Sequence, residues 1–209
     1  MQNLNKQLLT ESLGFLQLST QQLTESYKQS ENGLLIIPTL LSTADERNGN
    51  GRIYPYSVLK ESIERYMNLK NFNELYGSLD HYDDAEVKYE TVSHKIVDTW
   101  WKGNKLYGNI AIYDFPEIPQ GQRVAKFLKL GDKVGVSSRS LGNTSQRGND
   151  IIVESLDIIA YDLVTRNSNH GSILGSGSPD VVQEAVIKTN TEDKQYHKLN
   201  SILNNILGI

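Results

Sequence analysis

The segment from Glu74 to Asp114 constrains the fold most, because it contains two strand-like runs separated by a short loop. The first run reads HKIVDTWW and the second reads KLYGNIAIYD. Between them stand Lys102, Gly103 and Asn104, and a short loop with glycine and asparagine is typical of a β-hairpin. The sequence therefore predicts an antiparallel sheet near the centre of the chain.

Further strands and two helices are predicted on either side of this hairpin. In chain order these are a strand within GLLIIPTLL (33–41), a helix over 55–67, a helix over 119–130, a strand within VGVSSRSL (134–141) and one long strand or two paired strands within IIVESLDIIAYDLV (151–164). Pro38 predicts an edge strand or a bulge, and Gly131 predicts the end of the second helix. GNTSQRGND (142–150) is predicted to be a loop. The fold class is therefore α+β, with a small closed or strongly curved β-barrel flanked by helices.

Composition divides the chain into three regions. Residues 1–32 are rich in Gln, Ser, Thr and Asn, and we expect a flexible N-terminal tail there. Residues 33–168 contain the ordered core. Residues 169–209 begin as a Gly- and Ser-rich linker and end in YHKLNSILNNILGI, an amphipathic helix. That helix needs an apolar surface, either on its own domain or on a partner.

Charge and composition exclude several functional classes. The 209 residues include 25 acidic and 21 basic ones and no basic block, so nucleic-acid binding is not expected. There is no cysteine, which excludes disulfides and thiolate chemistry. No apolar run has the length of a membrane span, and the first residues do not read as a signal peptide. We expect a soluble, intracellular protein that contacts no membrane.

The chain has four histidines, and His81 differs from the others because aspartates surround it in the sequence DHYDD. Carboxylates with an imidazole suit a divalent metal ion, but a second histidine at metal-ligand spacing is missing from this motif. The favoured interpretation is therefore no metal. His94, in the strand-like SHKIV, is expected to be a buried histidine with a structural role.

Two adjacent serines in KVGVSSRSLGN (133–143) give His81 a second interpretation. A neutral imidazole within hydrogen-bonding distance of a serine hydroxyl can take its proton during nucleophilic attack. Adjacent residues of a strand point to opposite faces, so Ser137 and Ser138 cannot both face His81. The local sequence leaves open which of the two does so.

The chain resembles the prohead (procapsid maturation) serine proteases of tailed bacteriophages, particularly the myovirus type. The resemblance runs in order through NGNGRIYP (48–55), GSLDH (77–81), SHKIVDTWWKGNKLYGNI (93–110), LKLGDKVGVSSRSLG (128–142) and DIIAYDLVTRNS (157–168). It covers most of residues 33–168 and leaves out both tails. It departs from the family pattern at Tyr82, where proline is common, and at Ser140, where glycine is common. The resemblance implies a barrel like that of phage and herpesvirus procapsid proteases.

The resemblance also implies roles for individual residues. His81 corresponds to the family's base and Ser137 to its nucleophile, with Ser138 as the alternative nucleophile. Asp162 matches an acidic position near the end of the last core strand and is the expected third member, although a carboxylate there also suits a turn cap. Arg139 is expected to support the oxyanion, together with backbone N–H groups that follow Ser137.

Related proteases cut after glutamate, with an apolar residue two positions earlier. Glu11 and Glu25 fit this pattern in the repeated sequences QLLTES (7–12) and QLTES (22–26), and Glu184 fits it more loosely. Self-cleavage at these glutamates would remove the N-terminal segment and the C-terminal helix. A glutamate pocket needs positive charge or several donors, for which Arg52, Lys95 and Arg139 are the candidates.

The resemblance further implies partners and a location. Scaffold (core) and major capsid proteins are the expected substrates, no cofactor is expected, and the protease is expected to be a homo-oligomer. It would act inside the assembling prohead in the cytoplasm of the bacterial host. The alternatives are a non-enzymatic phage structural protein with a related barrel, and a metal-dependent hydrolase built on DHYDD.

Overall fold

The computed structural model describes residues 6–16, 34–69, 75–82, 85–165 and 173–174. These residues belong to one unit of the chain, Met1–Ser176. The second unit, Gly177–Ile209, contains the predicted C-terminal helix and lies outside the described residues. In the described ranges, none of the helices is long and apolar enough to cross a membrane.

Strands dominate the described residues. The strands are β1 (Gln7–Leu16), β2 (Leu34–Thr43), β3 (Arg52–Ile53), β4 (Tyr76–Ser78), β5 (Val92–Lys102), β6 (Lys105–Tyr113), β7 (Val134–Arg147), β8 (Asp150–Val164) and β9 (Ile173–Leu174). The helices are α1 (Tyr56–Asn68), α2 (Pro119–Lys129) and a single 3₁₀ turn (Tyr89–Thr91).

The strands form two sheets that meet at one corner. The first sheet has the order β3-β8-β7-β1-β9 and the second has the order β2-β6-β5-β4. Just after β4, Leu79 forms a parallel bridge with Leu163 of β8, and the Asp80 N–H donates to the Leu163 carbonyl at 2.7 Å. The chain thus passes from one sheet to the other at this corner. The predicted fold class, a strongly curved α+β structure with helices on its outside, is confirmed.

The predicted central hairpin is confirmed, with Gly103 and Asn104 between β5 and β6. Gly103 has a φ of 61°, a left-handed conformation that costs glycine little. Pro38 lies in β2 at the edge of the second sheet, as expected for a residue without a backbone donor. The two long helices also match the sequence prediction, and Gly131 follows α2 with a φ of 83°.

The ribbon formed by β7 and β8 is longer than predicted. Residues 142–147, predicted to be part of a loop, continue β7 and pair with β8 as far as Arg147 opposite Asp150. The turn occurs at Gly148, whose φ is 62°. Polar residues are compatible with a strand here because the side chains of residues 143–147 are half-buried or exposed.

The N-terminal segment differs most from the sequence prediction. Residues 7–16, predicted to lie in a flexible tail, form β1 between β7 and β9. Leu9 is fully buried in the hydrophobic core, whereas Leu8 and Thr10 are exposed. The segment has no strand partner nearby in the sequence, because its partner β7 lies more than 100 residues away.

His94 is fully buried beneath the corner that joins the sheets, and its expected structural role is confirmed. Its Nε2 donates to the Tyr161 carbonyl at 2.7 Å, so Nδ1 accepts from the Ser93 hydroxyl at 2.8 Å. Gly77 leaves the space that the ring needs, since a Cβ at Gly77 would lie 2.2 Å from His94 Nε2. Burial lowers the pKa of His94 from 6.5 to about 4, despite the hydrogen bond to Tyr161.

We expect the protein to lose stability as the pH falls from 6.5 towards 4, because the unfolded chain then protonates His94 and the folded chain does not. The full difference corresponds to roughly 3 kcal/mol. Asp162, whose pKa is lowered on folding, contributes to acid lability mainly below this window. Urea denaturation at a series of pH values measures the effect. His94→Gln should flatten the slope between pH 4 and 6.5, and an unchanged slope would contradict this account.

Candidate active site

A serine and an aspartate lie side by side on neighbouring strands of the first sheet. Ser137 of β7 is paired with Asp162 of β8, and paired residues of antiparallel strands point to the same face. Both side chains are buried. His81 lies over them: its Nε2 is 2.7 Å from Ser137 Oγ and its Nδ1 is 2.8 Å from Asp162 Oδ2.

The corner between the two sheets positions His81. The Ser78 N–H donates to Asp162 Oδ1 at 3.0 Å, which fixes the end of β4 against β8. Asp80, the residue before His81, has a φ of 66°. Aspartate tolerates this left-handed conformation better than most residues do, and it turns the chain back over the sheet. The sequence GSLDH therefore provides the strand end, the bridge and the turn that precede the imidazole.

Asp162 is fully buried but remains a carboxylate at neutral pH. Burial alone would raise its pKa, but hydrogen bonds from His81 and Arg139, the charge of Arg139 and the Ser78 N–H together lower it. Arg139, also fully buried, donates from Nε to Asp162 Oδ2 at 2.9 Å. An ionised Asp162 requires a proton on His81 Nδ1 for their hydrogen bond, which leaves Nε2 to accept from Ser137.

The backbone of β1 crosses this group of side chains. Ser12 is paired with Ser137 and Glu11 with Ser138, so the Glu11–Ser12 peptide bond lies beside the Ser137 hydroxyl. Ser137 Oγ is 2.7 Å from the Glu11 carbonyl oxygen. The hydroxyl has one proton, which it can donate either to this carbonyl or to His81 Nε2. Donation to Nε2 is the arrangement that prepares the oxygen for attack on a carbonyl carbon.

The Glu11 carboxylate is enclosed on the opposite face of the sheet, and only 4% of the residue is exposed. Oε1 accepts from Arg52 Nη1 at 2.5 Å and from the Tyr54 hydroxyl at 2.8 Å. Oε2 accepts from the Nδ2 atoms of Asn48 at 2.7 Å and Asn50 at 2.8 Å. Four donors, one of them charged, therefore satisfy the two oxygens.

Hydrogen bonds within the turn of residues 48–52 hold these donor groups in position. Asn48 Oδ1 accepts from the N–H groups of Asn50 and Arg52 at 3.0 and 2.9 Å, which leaves its Nδ2 for Glu11. Gly51 has a φ of 75°. Although burial alone would lower the pKa of Arg52, the hydrogen bond and charge of Glu11 raise it. Burial and the Glu11 charge raise the pKa of Tyr54, so its hydroxyl remains a donor.

Comparison with known proteins identifies the family of the chain. The sequence profile of the family described as prohead core protein serine protease matches residues 18–184. The chain belongs to this family. The prohead core protein protease of Enterobacteria phage T4 is 32% identical over 123 residues, which make up 57% of this chain and 58% of the T4 protein. The solved structure of the bacteriophage T4 capsid assembly protease, gp21, matches with a TM-score of 0.65 and 25% identity, covering 76% of this chain and 97% of that one.

The chain thus has the relationship to the myovirus prohead proteases that the sequence motifs implied. The chain spans 58% of the curated T4 relative that it matches, which is less than two thirds of that protein's length. The region that the family model matches begins after β1. The family model therefore does not include the strand that lies beside Ser137.

The two serines of the SSR motif lie on opposite faces of β7, as strand alternation requires. Ser137 faces His81, whereas Ser138 is paired with Tyr161 and lines a cavity of about 250 Å³ beside Glu11. That cavity also contacts Leu40, Leu59 and Ile158. The geometry favours Ser137 over the alternative nucleophile Ser138, and the catalytic roles stay a proposal.

The guanidinium of Arg139 lies beside the Asp162 carboxylate. It donates to both oxygens of Asp162 and, from Nη1, to the carbonyl groups of Tyr82 at 3.5 Å and Glu86 at 3.3 Å. Arg139 supplies the compensating cation that a buried carboxylate needs, and support of the oxyanion by Arg139 stays a prediction. Arg139 therefore orients Asp162, the partner of His81, and contacts the backbone at Tyr82 and Glu86.

Other sequence-based candidates have different outcomes. Of the three cations considered for a glutamate pocket, Arg52 contacts a glutamate carboxylate, Arg139 contacts Asp162, and Lys95 lies in β5 of the second sheet. Glu25 and Glu184 lie outside the described residues. So do Asp83 and Asp84, on which the metal interpretation depends. Sequence reasoning missed Asn48, Asn50 and Tyr54, although all three stand in the quoted motif NGNGRIYP.

Replacing each serine separately tests the assignment of the nucleophile. Ser137→Ala should reduce peptide-bond cleavage by at least roughly a thousandfold, because it removes the attacking oxygen. Ser138→Ala is the matched control and should retain activity within about tenfold, because Ser138 faces away from His81. Cleavage is measured by intact mass of the purified chain over time. A comparable loss in both variants, with both folded by circular dichroism, would contradict the assignment.

Proposed function

We propose that this prohead protease is a serine endopeptidase that cleaves after glutamate and that its first substrate is its own Glu11–Ser12 bond. One observation carries the proposal. The chain's own β1 lies across Ser137 with the Glu11 carbonyl in contact with the hydroxyl and the Glu11 carboxylate enclosed by donors. A purely structural role gives no reason for this combination of a polarised serine and an enclosed peptide.

The geometry supports the following first step. Ser137 Oγ attacks the Glu11 carbonyl carbon while its proton passes to His81 Nε2. Asp162 stabilises the imidazolium through Nδ1–H, 2.8 Å away. Nε2 then gives the proton to the Ser12 nitrogen, and the carbon–nitrogen bond breaks. Ser12 gains a free amino group, and Glu11 is left as an ester on Ser137.

Hydrolysis of the ester completes the reaction. Water gives one proton to His81 Nε2 as its oxygen adds to the ester carbonyl carbon. When this second intermediate collapses, the proton returns to Ser137 Oγ and the ester bond breaks. Glu11 leaves with a new α-carboxylate, and the serine is regenerated.

The surroundings of Glu11 support glutamate specificity. A glutamine would place an NH₂ group among the donors of Asn48, Asn50, Arg52 and Tyr54, and an aspartate would be one methylene too short to reach them. A polar site that is left with unpaired donors rejects the wrong side chain strongly. Leu9, two residues before Glu11, is fully buried, which supports an apolar requirement at that position. Both features agree with the Leu-x-Glu pattern at Glu11 and Glu25.

The family relationship supports substrates in the phage head. The T4 relatives are named as a prohead core protein protease and a capsid assembly protease. We assign scaffold and capsid proteins that expose Leu-x-Glu segments as the substrates of this chain, inside the assembling prohead in the host cytoplasm. Such segments would pair with β7 as β1 does, so extended, accessible chain is required.

Variants of Glu11 test the specificity in the intact chain. Glu11→Gln and Glu11→Asp should each slow the loss of residues 1–11 by roughly a hundredfold or more, because each leaves buried donors unpaired. Thr10→Ala is the matched control, since Thr10 neighbours Glu11 on β1 and is exposed. Intact mass and N-terminal sequencing at Ser12 measure the rate. Equal rates for glutamate and glutamine at position 11 would contradict the proposed specificity.

A further inference from the structure

A second groove, of about 540 Å³, lies at the end of the β2-β6-β5-β4 sheet, where the 3₁₀ turn meets the start of α2. Apart from three aliphatic residues, its described lining consists of three tyrosines, two glutamates and a glutamine: Tyr76, Tyr89, Tyr113, Glu90, Glu117 and Gln120. None of the described residues that line it is basic. It shares no lining residue with the cavity beside Ser138, so it is a separate surface.

Aromatic rings form one side of this groove. Tyr76 and Tyr89 meet edge to face, with ring centroids 6.0 Å apart and planes at 64°, and Tyr113 packs against Phe115 at 6.3 Å. Tyr89 is 86% exposed, so its ring is available to a partner. Burial and the neighbouring Tyr76 raise the pKa of Tyr113 to about 12, so its hydroxyl stays neutral. The face of such a ring attracts a cation.

Two carboxylates border the rings. Glu90 and Glu117 are exposed, and within the described ranges neither forms an ion pair. Gln120 Nε2 donates to the Glu90 carbonyl and joins the turn to α2. The start of α2 carries a partial positive charge, but Pro119 supplies no N–H there, and two full negative charges outweigh about half a positive one. The groove is therefore both aromatic and negative.

The turn Tyr89–Thr91 is bonded to the corner that positions the active-site side chains. The Leu79 N–H donates to the Thr91 carbonyl at 3.0 Å, and the Thr91 and Ser78 hydroxyls are 2.9 Å apart. Ser78 also donates its N–H to Asp162. A partner that binds in the groove is thus held next to the active-site corner.

We propose that this tyrosine–glutamate groove is a docking site for a basic side chain, arginine or lysine, of a partner protein, and that it acts separately from the groove beside β7. The aliphatic stem of the basic residue packs on Val92, Ile118 and Pro119, and its charged end faces the rings and the two carboxylates. The binding requires neither Ser137 nor cleavage, so this inference does not depend on the proposed function.

The docking site is tested in the full-length chain with Ser137→Ala, in which self-cleavage does not change the protein. The probe is N-acetylarginine amide, titrated while backbone amide signals are followed by ¹H–¹⁵N NMR. We expect saturable shifts at Tyr89, Glu90 and Gln120. N-acetylcitrulline amide has the same shape without the charge and should bind at least roughly fivefold more weakly. Equal binding of the two probes, or no saturable shift at these three residues, would overturn the inference.

Variants separate the two sources of attraction. Tyr89→Ala should weaken arginine binding roughly fivefold, whereas Tyr89→Phe, which keeps a ring face, should stay within about twofold. Tyr89 is largely exposed, so neither change removes core packing. Glu90→Gln should weaken binding roughly threefold or more. Glu64→Gln is the matched control, because it removes the same charge from an exposed position on α1.

The outcomes for the variants are distinct from those for the proposed function. An equal loss in Glu90→Gln and Glu64→Gln would show attraction to net charge alone and would overturn the inference, as would full binding in Tyr89→Ala. Self-cleavage of the wild-type chain without arginine binding would reject this inference alone. Arginine binding by a chain that does not cleave itself would reject the proposed function alone.

Discussion

The register of three adjacent strands, β8, β7 and β1, determines which side chains and which peptide bond meet at the site. Asp162, Ser137 and Ser12 stand opposite one another in that order, so one alignment places the carboxylate, the hydroxyl and a peptide bond in a row. A shift by one residue would turn Ser137 to the other face and present Ser138 instead. The alternation of side chains thus separates the face that carries Ser137 and Asp162 from the face that encloses Glu11.

Each face of this sheet contains a buried carboxylate with its own arginine. Asp162 is paired with Arg139 on one face, and Glu11 with Arg52 on the other. A buried carboxylate without a partner would be strongly destabilising, and each pair is completed by further donors. The two carboxylates differ in whether they stay covalently attached to the rest of the barrel. Asp162 belongs to the barrel, whereas Glu11 belongs to a segment that the proposed reaction separates from it.

Local sequence patterns were sufficient for much of the barrel. Glycine and asparagine after Lys102 predicted the hairpin, apolar spacing predicted the helix over 55–67, and Gly131 predicted the end of the second helix. Strand alternation indicated that only one of the two serines, Ser137 or Ser138, can face His81. The polar ribbon after Leu141 was missed because its residues lack the apolar alternation of a half-buried strand. The strand β1 was missed because its pairing partner lies far along the chain, where local periodicity carries no information.

The sequence indicated some residues of the site, whereas others became apparent only from contacts in the folded structure. His81, Ser137 and Asp162 were proposed from the resemblance to the prohead proteases, and the structure places their side chains within hydrogen-bonding distance of one another. The position of Arg139 depends on a buried partner across the sheet, which a linear reading could not show. The sequence indicates that Asn48 and Asn50 are turn residues, and the structure agrees. Their second role, as donors to the Glu11 carboxylate, is apparent only in the folded structure, where Glu11 lies opposite them.

The account depends most on the claim that the chain's own β1 already lies at Ser137 before any bond is broken. The most direct test is the rate at which a chain beginning at Ser12 appears, measured by intact mass over a hundredfold dilution series of freshly refolded protein. An intramolecular cut predicts a first-order rate constant that does not change with dilution. A rate constant that falls in proportion to concentration, or a new N-terminus at another residue, would contradict it.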